Sequence, residues 1–193
     1  MKKVIMFLFM ILSFSCGAED YNKIAYEQQM VKMSELAEKE LYNTNVGVII
    51  DYSIHSGNHR GFLVDLPSKN ILKSFLVAHG SGMGEQKGRP LGFSNVEGSN
   101  ASSIGMAVID GRDYSNWGIN VKYWLKGLDK SNSNLKKRVV VLHSWEGIPD
   151  ENIYPNTIIQ SQGCPTVSNR TMRYLDDFIK KQKNKQILIY SIK

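Results

Sequence analysis

The chain has 193 residues, 42% hydrophobic and 22% charged, with a formal net charge of +6. This length suits one domain with a short extension, and the composition excludes disordered, collagen-like and coiled-coil classes. From Glu19 onward, basic residues cluster only at Lys136-Lys137-Arg138 and Lys180-Lys181. With no zinc-finger spacing, basic helix or aromatic–basic interleaving, the excess gives no sign of nucleic-acid binding.

The chain opens "MKKVIMFLFMILSFSCGAED". Lys2 and Lys3 precede an apolar run from Val4 to Phe14, and small residues follow at Ser15-Cys16-Gly17-Ala18. This is the three-part layout of a secretory signal peptide over 1–18, and its apolar run is too short to span a membrane. The expected location is periplasmic or extracellular, with no transmembrane segment in the mature protein. Cleavage after Ala18 gives a soluble product. Cleavage before Cys16 would allow lipid anchoring, but Ser13 stands where a lipoprotein signal usually carries Leu. Losing Lys2 and Lys3 lowers the net charge from +6 to +4.

Residues 19–44 read as a helical extension, in which Ile24, Val31, Leu36, Ala37 and Leu41 recur at helical spacing. The main domain is expected over 45–193. Its β-rich runs are 46–54, 61–66, 71–79, 102–110, 136–145 and 186–193, separated by turn residues. Helical patterns are read at 120–127 and 169–184. In the second, Met172, Leu175, Phe178 and Ile179 share a stripe, with Ser168 or Asn169 as cap. The glycine-rich 79–88 stretch matches no phosphate-cradle spacing and reads as a flexible surface loop. The fold class expected is mainly β with peripheral helices, α+β.

Apart from Cys16 in the export segment, Cys164 is the only cysteine. A lone thiol in an oxidising compartment is costly unless it is used, although a small buried cysteine is also common. A free thiol near pKa 8.5 is mostly protonated, so a nucleophile needs a base, and a nearby histidine could hold it as a thiolate ion pair. His143 ends the apolar run "RVVVLHSW" and His79 ends "FLVAHG", whereas His55 and His59 lie in a polar turn and read as solvated. Gly163 gives backbone freedom for the amides of Gly163 and Cys164 to face an oxyanion, and Pro165 stiffens the exit.

The pair "HSW…SQGC", with 17 residues between His143 and Ser161, resembles the active-site signature of the L,D-transpeptidase (YkuD-like) catalytic domain, in its divergent branch. Further pieces match in order over about residues 45–191: "LVAHGSG", "GFSNVEGSNASSIG", "WGINVKYWLKGLD", "NLKKRVVVLHSW" and "SQGCPTVS". The resemblance implies a β-sandwich-like catalytic domain at 45–193 acting on peptidoglycan stem peptides, with no metal or organic cofactor. It makes Cys164 the nucleophile, His143 the base and Ser161 and Gly163 the positioning turn, with His79 and Gln162 as pocket lining. Transpeptidation, L,D-carboxypeptidase-type hydrolysis and an inactive wall-binding domain all remain open readings. The chain departs from the family at Gln162, where the better-known branch has His, at Thr166, where it has Asn, and at Gln160, where the divergent branch often has Arg.

Overall fold

A computed structural model describes residues 18–182 and 186–193. The expected export segment, Cys16 included, lies outside the described residues apart from Ala18. Among the described residues no helix is long and apolar enough to cross a membrane.

Eight strands form one mixed sheet in the order β3-β2-β1-β10-β6-β7-β8-β9. They are β1 (Val46–Asp51), β2 (Gly61–Asp65), β3 (Asn70–Phe75), β6 (Gly105–Tyr114), β7 (Val121–Gly127), β8 (Val141–Ser144), β9 (Thr166–Val167) and β10 (Ile187–Ile192). Neighbours pair antiparallel except β1 with β10 and β8 with β9. All eight strands send side chains into a single apolar cluster, from Phe75 on β3 to Val167 on β9. The sheet is therefore curled so that its two halves share one core, which gives it sandwich character. The alternating side-chain directions of β1 divide its residues: Val46, Val48 and Ile50 enter this core, while Ile49 faces a second cluster on the other side.

One helix covers each face. Helix α1 (Ala18–Lys39) closes the second cluster through Tyr26, Met30, Met33 and Ala37, all buried. Fully burying each of the two methionines contributes about 2 kcal/mol. The buried face differs from the stripe read in the sequence. Among the stripe residues whose side chains are described, only Ala37 is fully buried, with Leu36 packed alongside, whereas Val31 is 40% exposed and Leu41 83%. The 26–30–33–37 spacing is the better helical face, and its methionines carry the packing. Helix α2 (Asn169–Lys180) seats Met172 and Leu175 in the first core, with Phe178 and Ile179 packed against it. Its cap is Ser168, whose hydroxyl accepts from Thr171 N at 3.0 Å.

Two local expectations are corrected. The 120–127 stretch is a strand, β7, whose Val121, Tyr123 and Leu125 are buried. That alternation has period two, and the charged residues between made it resemble a helix stripe. The 79–88 stretch is folded rather than a loose loop. It forms a 3₁₀ turn at Ser81–Met83 and begins a small hairpin, β4 (Glu85–Gln86) with β5 (Arg89–Pro90).

Candidate active site

His143 is placed by the sheet. On β8 it stands opposite Lys122 of β7 and Thr166 of β9, so these three form a row across neighbouring strands. Leu142 beside it points into the core, which directs His143 outward. Its Nδ1 lies 3.1 Å from the Ser144 carbonyl oxygen. A carbonyl can only accept, so Nδ1 carries the proton and Nε2 keeps its lone pair. Nε2 is 3.1 Å from the Thr166 hydroxyl, which also lies 3.3 Å from the Cys164 carbonyl. Burial holds the imidazole below the usual histidine pKa, with the Ser144 carbonyl opposing that shift and Lys122 adding to it. At neutral pH this is an uncharged ring whose unprotonated Nε2 faces the Thr166 hydroxyl, the form a general base requires.

Cys164 sits at the end of a tight loop that leads into β9. Ser161 Oγ donates to the Cys164 carbonyl at 2.6 Å and accepts from Gly163 N at 3.2 Å. Gly163 has φ +110, and a Cβ there would fall 2.9 Å from Ala101 O, so only glycine fits. Residues 78–81 hold the loop from behind. Ser161 N donates to His79 O at 2.8 Å, Ser81 N to Ser161 O at 2.9 Å and Ala78 N to Thr166 O at 2.8 Å. Gly80 passes so close that a Cβ on it would lie 2.7 Å from Gly163 Cα.

The thiol is partly exposed and free. Val141 N–H points at Sγ from 3.5 Å, and Sγ lies 3.8 Å from Val139 O. Burial raises its pKa, and Val141 N–H, Arg138 and Lys122 only partly offset this. With the imidazole depressed and the thiol raised, neither shift favours the thiolate–imidazolium pair that a nearby histidine could form. Both groups are penalised for charge by the same desolvation.

Cys164 and His143 line one cleft of about 850 Å³, together with Ser161, Gln162, Lys122 and Arg138. The other expected site residues fall in three places. Gln162 is exposed at the cleft, and Gly163 is buried behind it. Gln160 lines the cleft and donates to Glu85 Oε2 at 3.1 Å. His79, expected as pocket lining, is 1% exposed and lies beneath the loop. There its Nδ1 accepts from Arg60 Nη2 at 2.7 Å, and Nε2 sits 3.2 Å from Glu85 Oε2, close but poorly aligned for a hydrogen bond. Burial, aided by the Arg60 charge, lowers its pKa to about 4. His55 and His59 are not solvated either. His55 accepts from Gly57 N at 3.0 Å and packs edge-on to Tyr154, while His59 bridges Ser74 Oγ and Asp150 O.

Of the two amides expected to face an oxyanion, Gly163 N–H is already bound to Ser161 Oγ. Cys164 N–H has no acceptor among the described residues. Sequence reading also missed the Ser144 carbonyl, Lys122 and Arg138. Every residue has a carbonyl, so nothing in the residue type marks Ser144. Arg138 was visible only as the end of a basic run. Among the described residues, no group of three or more His, Cys, Asp or Glu is placed to hold a metal.

A family model described as L,D-transpeptidase catalytic domain matches residues 18–190, taking in α1 and the whole sheet up to β10. No curated protein matches the chain. Three solved structures are distantly similar. The helical cell shape determining protein Pgp2 from Campylobacter jejuni is 10% identical with a TM-score of 0.42, over 88% of this chain and 54% of that one. A point mutant of Pgp2 is 10% identical with a TM-score of 0.44, over 78% of this chain and 48% of that one. An L,D-transpeptidase from Xylanimonas cellulosilytica is 17% identical with a TM-score of 0.37, over 81% of this chain and 68% of that one. The chain thus spans about half the length of the Pgp2 structures.

Proposed function

Since the chain belongs to the L,D-transpeptidase catalytic-domain family, a peptidoglycan-related family of enzymes, we propose that it is an exported L,D-transpeptidase. In this reading it works on stem peptides through a Cys164 acyl-enzyme, with His143 as base. The observation that carries the reading is the 3.1 Å contact of His143 Nδ1 with the Ser144 carbonyl. The Ser144 carbonyl holds the Nδ1 proton and leaves Nε2 unprotonated, on a ring that lines the same cleft as Cys164.

Cys164 Sγ attacks the carbonyl of the L-centre that precedes a terminal D-residue. Its proton passes to His143 Nε2 during the attack, because both groups rest uncharged. The oxyanion meets the unoccupied Cys164 N–H. The carbon–nitrogen bond to the D-residue then breaks, and Nε2–H returns the proton to the departing amine. A thioester on Cys164 remains. An amine from a second stem attacks it to form the cross-link, and the thiol is regenerated.

Digestion of purified peptidoglycan by the wild type and by Cys164→Ala tests this reading through muropeptide mass analysis. New dimers from the wild type alone are expected. Shortened monomers without dimers would assign hydrolysis to the same site, and no change in either product would leave a wall-binding domain.

A further inference from the structure

Arg138 ends the turn before β8 and lines the cleft beside Cys164. Its Nη2 lies 3.4 Å from where a Cβ on Gly163 would stand, so the guanidinium packs on the residue next to the thiol. Four contacts hold it there. Nη1 donates to Ser94 O at 2.7 Å and Ser103 Oγ at 2.5 Å, and Nη2 to Ala101 O at 2.6 Å and Ser99 Oγ at 3.2 Å. Every acceptor is neutral. Among the described residues the ion pairs involve other cations, and none includes Arg138. Its position is fixed while its charge is left uncancelled, a costly arrangement for a half-buried cation unless an anion forms beside it.

The adjacent backbone is also strained. Val139 is β-branched and 56% exposed, yet has φ +55. L-residues of this kind avoid that region, and such strain gathers where a function over-determines the geometry. The turn at Val139 brings its carbonyl to 3.8 Å from Sγ.

We propose that Arg138 is the fixed positive charge that holds the Cys164 thiolate as it forms, a positioning residue acting on the nucleophile through its field. This rests on the reading of Cys164 as nucleophile but not on any substrate. The groups facing Cys164 are His143 on β8, Lys122 on β7, Tyr52 beyond β1 and Arg138 itself. Tyr52 is kept neutral by burial, and His143 is neutral at rest. Lys122 is shared with Asp113, 3.6 Å away, and with the Trp124 ring. Arg138 is the cation without a carboxylate.

The pH profile of Cys164 alkylation by the neutral probe iodoacetamide tests this without substrate. Removing a cation that favours the thiolate raises the thiol pKa. Arg138→Met should therefore react about tenfold more slowly at pH 8, with the whole profile displaced to higher pH. Arg138→Lys keeps the charge and should stay within about threefold of wild type. A Ser99→Ala, Ser103→Ala double variant loosens the clamp with the charge intact and should leave the profile in place, which keeps the test decisive should Arg138→Met fail to fold. Equal displacement in Arg138→Lys and Arg138→Met, displacement in the serine variant, or no displacement in Arg138→Met would overturn the proposal. Absence of cross-linking with the profile behaving as expected would count against the substrate reading alone.

Discussion

Two arginines on this curled sheet are held in opposite ways. Arg112 on β6 reaches Asp176 of α2 through Nε at 2.7 Å and Nη2 at 3.2 Å, and the same carboxylate takes Tyr123 Oη at 2.8 Å and Lys180 Nζ at 3.1 Å. Burial alone would raise the Asp176 pKa, but these donors outweigh it and bring it to about 2. Among the described residues Arg138 has no carboxylate partner. Where the charges cancel, the contact pins a helix to a strand. Where one is left over, it stands beside the thiol.

A third region sharpens the comparison. The Arg60 guanidinium is fully buried, bonded to Val77 O, Ile54 O and His79 Nδ1, with the Tyr52 ring 5.3 Å away. Its route to a carboxylate runs through His79 to Glu85. Burial, and then the Arg60 charge beside it, hold the folded pKa of His79 at about 4, below the ordinary 6.5. A depressed histidine stabilises the fold above the unfolded pKa, and that stability is lost as pH falls towards the folded value. From the two values, the loss between pH 6.5 and 4 is about 3 kcal/mol. Buried His143 adds to the same window. Urea unfolding across this range should show the fall, and His79→Gln should flatten it. An unchanged slope would mean that Arg60 is balanced in some other way.

The paired site should answer differently. Asp176→Ala leaves the buried Tyr123 hydroxyl without its acceptor and removes the partner of Arg112, half of whose side chain is in water. A loss of about 2 kcal/mol in unfolding free energy is expected, with the iodoacetamide profile of Cys164 unmoved. A shift in that profile would erase the distinction between the two arginines. The smallest effect is at Val139. Replacing it with glycine relieves the positive φ and should raise stability by about 1 kcal/mol, as a higher urea midpoint at constant slope. A lower midpoint would mean that the side chain is needed there.

Much of this arrangement was legible in the sequence. A strand within the 46–54 run and helix α2, with Ser168 as one of its two cap candidates, follow from residue pattern, while the pairing of Cys164 with His143 is what the family resemblance implies. Other features depend on register. The row Lys122–His143–Thr166 exists because β7, β8 and β9 pair as they do, and no single segment encodes that pairing. His79 ends an apolar run much as His143 does, yet the 78–81 segment passes under the loop that carries Cys164 and buries it. The neutral resting state of the thiol and imidazole also depends on burial, which sequence spacing does not report.

The central claim is that Cys164 forms the acyl-enzyme, and intact-protein mass spectrometry tests it most directly. The wild type is incubated with a stem tetrapeptide that ends in an L-centre followed by a D-residue, then quenched in acid. A mass gain equal to the peptide less its terminal D-residue, mapped to Cys164 and absent from Cys164→Ala, is the expected result. An unmodified wild type under conditions in which D-residue release is measured would contradict the account.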